Sequence, residues 1–206
     1  MTEKNLNAEQ KIRIAAKMIF MRYGFEGCST RDIAKEADVN VAMVNYYFRS
    51  KNELFKAIFL DTTAEFMEIM FDVFNRPIAL KSKFRMFIEK EYEFMTKYPQ
   101  VPMFILSELS RSKDETLGME CVFEQIQALP FYTECIEAQE SGEMRKVEMS
   151  SLMMLLLSNC HHPFLSKPML MALKGMSSED FDQQIILHKQ YVVEMLLDYL
   201  FPENKR

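Results

Sequence analysis

The chain has 206 residues, a formal net charge of −5, and only 5 Gly and 7 Pro, about half of average usage. A β-sandwich or barrel needs turn residues every ~8–12 positions, so that scarcity excludes both. The glycines at 24, 27, 118, 142 and 175 form no phosphate-binding loop and no G-x-S-x-G. The longest apolar run, 152–157, is far shorter than the ~20 residues that cross a bilayer. The polar start Met1-Thr2-Glu3-Lys4-Asn5 lacks a signal-peptide core, so a cytoplasmic protein with no membrane partner is expected. Its four cysteines form no C-x-x-C pair and read as free, mostly buried thiols. Charge is unevenly spread: residues 1–60 hold ten Lys/Arg against seven Asp/Glu, and 61–206 hold fifteen against twenty-three. A basic head precedes an acidic body, which fits two separate tasks.

In the head, Ile12, Ala15, Ala16, Ile19, Phe20 and Tyr23 recur at helical spacing, Lys11, Arg13, Lys17 and Arg22 take the other face, and Gly24 ends the helix. Ser29-Thr30-Arg31-Asp32 has capping-box chemistry and opens a short helix with Ile33, Ala34 and Ala37 inward. Asp38-Val39-Asn40 makes a turn in which Asp38 tolerates a left-handed backbone and Asn40 caps a third helix over 41–47. A second capping box, Ser50-Lys51-Asn52-Glu53, opens a long helix over 51–74. Two short helices joined by a three-residue turn and braced by longer ones form a helix-turn-helix.

The run Ser29-Thr30-Arg31-Asp32-Ile33-Ala34-Lys35-Glu36-Ala37-Asp38-Val39-Asn40-Val41-Ala42-Met43-Val44-Asn45-Tyr46-Tyr47-Phe48, followed by Arg49-Ser50-Lys51-Asn52-Glu53-Leu54, resembles the DNA-binding segment of the TetR family of bacterial transcriptional regulators. The likeness extends from the first helix to Phe59. It departs at Asp38, where the family usually has Gly, at Asn45, where many members have Tyr, and at Tyr47, where many have His. The resemblance implies an all-α fold of about nine helices. Residues 1–50 would form a three-helix DNA-binding domain, and 51–206 a larger ligand-binding and dimerisation domain, connected by the helix over 51–74. It also implies a ligand-responsive regulator, a repressor, in which an effector pivots that helix and separates the recognition helices.

The third helix is so short that its N-terminal end must enter the major groove. Val41, Ala42 and Met43 would face thymine methyls or base edges, and Asn45 would read adenine. Tyr46, Tyr47 and Lys51 would reach phosphates, while Thr30, Arg31 and the capping Asn40 would position the backbone. Val44 and Phe48 are expected in the core. The partner is therefore a double-stranded DNA operator.

In the body, Asn75-Arg76-Pro77 breaks the long helix, Pro99 and Pro102 flank a break before residues 103–111, and a helix near 114–139 carries Pro130, which must kink or split it. Gly142 marks a turn. The last helices, near 147–161 and 178–201, are apolar on more than one face, which points to a homodimer seam through Leu152, Leu156, Phe181, Ile185, Val192, Val193, Leu196, Leu197 and Leu200. A two-fold dimer suits a palindromic operator. Fourteen of the 18 methionines follow residue 60, a composition suited to a pocket that repacks around a small, largely apolar effector. Its candidate lining is Phe66, Met67, Met70, Tyr92, Met95, Met103, Phe104, Phe123, Met153 and His161.

Cys160-His161-His162 cannot converge on one ion, because adjacent helical residues diverge by ~100°. No metal, cofactor or catalytic residue is expected. An all-α enzyme is the least favoured alternative with only three His, and an activator or effector-independent regulator is the other reading.

Overall fold

A computed structural model of the chain describes residues 7–111 and 120–202, with side chains from 124 onward in the second stretch. The described residues form eleven helices and no strand. The expected all-α architecture is therefore present, with more helices than the nine read from the sequence. Pro130 splits one element in two, and residues 167–174 form a short helix that the sequence reading passed over. The expected start of the first of these, at 114–119, lies outside the described residues.

The helices divide by contacts into two compact units, one from Met1–Phe66 and Val101–Glu120, the other from Met67–Gln100 and Cys121–Arg206. The first unit holds α1 (Ala8–Tyr23), α2 (Thr30–Glu36), α3 (Val41–Phe48), the first two-thirds of α4 (Lys51–Phe74) and α6 (Val101–Arg111). Asn7 caps α1 in a reciprocal capping box with Gln10. Gly24 ends that helix with φ 69°, and Gly27 approaches the Tyr23 carbonyl so closely that a Cβ would lie 2.2 Å from its oxygen. Ile12, Ala15, Ala16, Phe20, Ile33, Val44, Phe48, Leu54 and Phe59 make the core. Phe55 meets Phe20 edge-on at 5.0 Å and stacks near Phe59, and Phe104 of α6 packs on both Phe55 and Phe59. Each ring taken from water contributes on the order of 2–3 kcal/mol. Pro102 does not precede α6 as its spacing predicts. It sits in the first turn, where a missing N–H costs nothing.

The second unit centres on α5 (Leu80–Lys97), which packs against α8 (Pro130–Ser141), α9 (Met149–Leu165) and α11 (Ser178–Leu200). The remaining helices are α7 (Glu120–Gln127) and α10 (Lys167–Lys174). Phe131 stacks on Phe74 at 3.9 Å, with Phe84 and Phe87 beside them. Pro163 lies inside α9, in its last turn. Proline has no N–H for the carbonyl four residues back, and the Tyr92 hydroxyl donates to that carbonyl, Asn159 O, at 3.1 Å. The helix continues because a side chain replaces the lost bond.

The nine residues expected at a subunit seam are all buried within the single chain, none more than 8% exposed. Leu152, Leu156, Phe181, Ile185, Val192, Val193, Leu196, Leu197 and Leu200 pack into the core that α5, α9 and α11 share. That expectation is corrected on physical grounds: the most apolar stripe of each helix is used by its own chain. What α11 leaves outside is a second stripe, Leu187, Tyr191, Met195 and Tyr199, each four residues from the last and 45–59% exposed, with Ile186 beside it.

Candidate nucleic-acid interface

The helix-turn-helix is built by short-range hydrogen bonds. Ser29 Oγ accepts from the Asp32 amide at 3.3 Å, and the Asp32 carboxylate accepts from the Ser29 amide at 2.7 Å and its hydroxyl at 2.6 Å. Those bonds to Ser29 hold the Asp32 carboxyl below its ordinary pKa. At the far end of α2, the Val39 amide reaches Ala34 O at 3.0 Å and the Asp38 amide reaches Lys35 O at 3.3 Å, the double closure of a Schellman cap. Asp38 takes the left-handed position with φ 52°, as its place in the turn predicts. Asn40 Oδ1 accepts from the Met43 amide at 2.9 Å and starts α3.

On α3, Val44 and Phe48 are buried and bind the helix to α1 and α2. The opposite side is open: Ala42, Asn45, Tyr46 and Tyr47 are exposed, Tyr46 by 81%, and Val41 and Met43 are half-buried. The Tyr46 and Tyr47 rings meet edge-on at 5.2 Å. Arg31 and Asn40 are exposed and Thr30 is half-buried. This is a short helix with a polar and aromatic outer face over a firm apolar base, a shape that fits a major groove.

Lys51 is placed differently from the expectation of an outstretched cation. Its ammonium donates to Cys28 O at 2.8 Å and lies 4.2 Å from the centre of the Phe25 ring. It ties the start of α4 to the loop before α2. Only half of the second capping box forms: Ser50 Oγ accepts from the Glu53 amide at 3.2 Å, but the Ser50 amide donates to Phe48 O at 2.5 Å. Nothing in the sequence pattern announced that diversion, since Ser-x-x-Glu reads the same either way.

Residues 12–58 match the family model described as bacterial regulatory proteins, tetR family. The matched segment is the helix-turn-helix with its flanking helices, so the similarity to that family lies in this part of the chain. Over 49 residues it is 49% identical to the protein named Probable HTH-type transcriptional regulator YttP of Bacillus subtilis (strain 168), a match that spans 24% of each chain. Similarity to solved structures runs much further. A TetR family transcription regulator from Marinobacter aquaeolei VT8 superposes with a TM-score of 0.71 at 17% identity, covering 95% of this chain and 98% of the other. A TetR-family transcriptional regulator from Haemophilus influenzae Rd gives 0.64 at 21%, covering 94% and 96%. At such identities the likeness is one of fold, and it extends through the body.

The ten effector candidates are divided between the two units. Phe66, Met103 and Phe104 belong to the same unit as the helix-turn-helix. Met103 is 51% exposed, and Phe104 is taken up by the Phe55 and Phe59 rings. Met70, Tyr92, Met95 and His161 are buried in the second unit, with Met67 and Met153 at the edge of its core, and the Phe123 side chain lies outside the described residues. Two surface clefts of that unit, about 530 and 420 Å³, are lined by none of the ten. What periodicity did not show is a set of polar pairs inside this Met-rich core. His161 Nε2 lies 2.9 Å from Glu91 Oε2, and His188 Nδ1 lies 2.6 Å from the Tyr92 hydroxyl. Burial raises the Tyr92 phenol pKa and lowers that of His188.

Proposed function

We propose that the chain is a DNA-binding transcriptional regulator that acts as a dimer on a palindromic operator, and that it is a repressor released by a small, largely apolar effector. The observation that carries the reading is the open outer face of α3, with Asn45, Tyr46 and Tyr47 exposed over a base of Val44 and Phe48. Exposed aromatic side chains on so short a helix have no internal packing task. Asn45 supplies an N–H donor for adenine N7 and an oxygen acceptor for adenine N6–H in the major groove, and the tyrosines supply hydroxyls for phosphates. One module of this size binds weakly, and two held one helical turn apart bind far better. The exposed stripe on α11 is the surface we assign to the second copy. The Met-rich core with its buried Glu91, His161 and Tyr92 and the half-buried His188 supports an effector that is mainly apolar with a polar end.

The test is retention of the DNA upstream of the protein's own gene. Asn45→Ala with Tyr47→Ala should weaken retention at least tenfold while leaving the thermal midpoint within a few degrees, because neither side chain is buried. Unchanged retention in the double variant would overturn the reading.

A further inference from the structure

Arg49 occupies an unusual backbone position. It follows α3 with φ 59° and ψ −44°, and the amides on either side close around it: Arg49 N–H donates to Asn45 O at 2.9 Å and Ser50 N–H to Phe48 O at 2.5 Å. A bond from residue i+2 to residue i across a central residue of positive φ and negative ψ is the rare, strained form of the γ-turn. A side chain there is disfavoured and a glycine is not. The arrangement also takes from Ser50 the amide that would have completed the α4 capping box.

The side chain carried at this cost stands in solvent. Arg49 is exposed, and no hydrogen bond, ion pair or ring contact among the described residues uses its guanidinium. Three other cations of the unit are engaged: Arg13 binds Asp61 and Glu9, Lys17 binds Glu65, and Lys51 binds Cys28 O. Backbone strain that persists in a fold clusters at functional positions.

We infer that Arg49 is a phosphate-binding residue of the DNA interface, presented at the end of α3 by the strained γ-turn. The inference rests on the DNA-binding reading above. A guanidinium meets a phosphodiester through two parallel N–H donors, and the contact is blind to sequence. It takes the place expected of Lys51, whose ammonium is engaged inside the protein.

Because a phosphate contact needs no operator, the probe is a mixed-sequence duplex of about 30 base pairs, followed by fluorescence anisotropy between about 50 and 200 mM NaCl. Arg49→Gln should weaken binding and lower the slope of log affinity against log salt by about 0.9 for each protomer on the duplex. Arg49→Lys should restore the slope. Arg49→Gly should lose the same slope while its melting temperature rises by roughly 2–4 °C, since glycine relieves the turn. Binding and stability then move in opposite directions, which a purely structural arginine cannot produce. An unchanged slope in Arg49→Gln, or a fall in melting temperature with unchanged binding, overturns the assignment to Arg49 alone. Failure of the unaltered protein to bind the duplex at the lowest salt overturns the DNA-binding reading beneath it.

Discussion

His188 sits at the edge of the body's interior. It is half-buried beside Tyr92, and burial holds its pKa below 6.5 by disfavouring the charged ring. The unfolded chain therefore takes up this proton first. Stability from His188 is complete above about pH 6.5 and is lost as the pH falls from there to the lower folded value. Asp32, Asp72 and Asp180 run the other way. Hydrogen bonds from Ser29, Arg76 and Ser177 hold their carboxyls below 3.8, so they favour the fold above that value and lose the effect only in stronger acid. Thermal melts followed by circular dichroism should show a lower midpoint near pH 5.5 than near pH 7.5. His188→Gln, which keeps a polar group against Tyr92, should narrow that difference. The three cysteines with described side chains play no part in this range, for burial raises the Cys28 and Cys160 thiols and pushes Cys135 up to about 12.

Helices α5 and α8 are joined by a buried charge. Lys83 is 1% exposed, and its ammonium donates to both Glu134 oxygens at 2.6 and 2.7 Å and to Phe74 O at 3.1 Å. All three protons are used, which is the condition for a buried lysine to be tolerated. Removing the carboxylate leaves the ammonium buried beside a lone carbonyl. Glu134→Ala should cost about 3 kcal/mol in urea unfolding, the lower end of the range for broken buried pairs because the Glu134 side chain is 37% exposed. A cost under about 1 kcal/mol would mean that the pair behaves as a surface one. Elements of this kind were half legible beforehand. The breaks at Pro77, Pro99 and Pro130 bracketed α5 and opened α8, but a lysine in a helix reads as an outer-face residue until the partner helix supplies its acceptor.

For the molecule as a whole, the proposed surface for a second copy is the one to test. Leu187, Tyr191, Met195 and Tyr199 form a stripe along α11 that the chain's own core does not cover. Tyr191→Glu with Met195→Glu should convert a dimer to a monomer in multi-angle light scattering while helical content stays constant, because both side chains lie outside the fold. A double variant that remains dimeric would place the seam elsewhere. Polar substitution of the inner stripe, for example Leu196→Glu, would instead unfold the protein by burying a charge.

The helix-turn-helix was legible from the amino-acid sequence alone, because its determinants are local: the Ser29–Asp32 box, the left-handed Asp38 and the Asn40 cap each act within a few residues. The all-α class followed from the same short-range signals and from the shortage of Gly and Pro. Apolar spacing also marked α9 and α11 as deeply buried. It did not say by what, since hydrophobicity is non-directional and a residue facing its own chain reads like one facing a partner. Tertiary packing alone decided that Leu152 and Leu196 are core, that Tyr92 satisfies the carbonyl freed by Pro163, that Lys51 turns inward onto Cys28, and that Arg49 is held out in a strained turn.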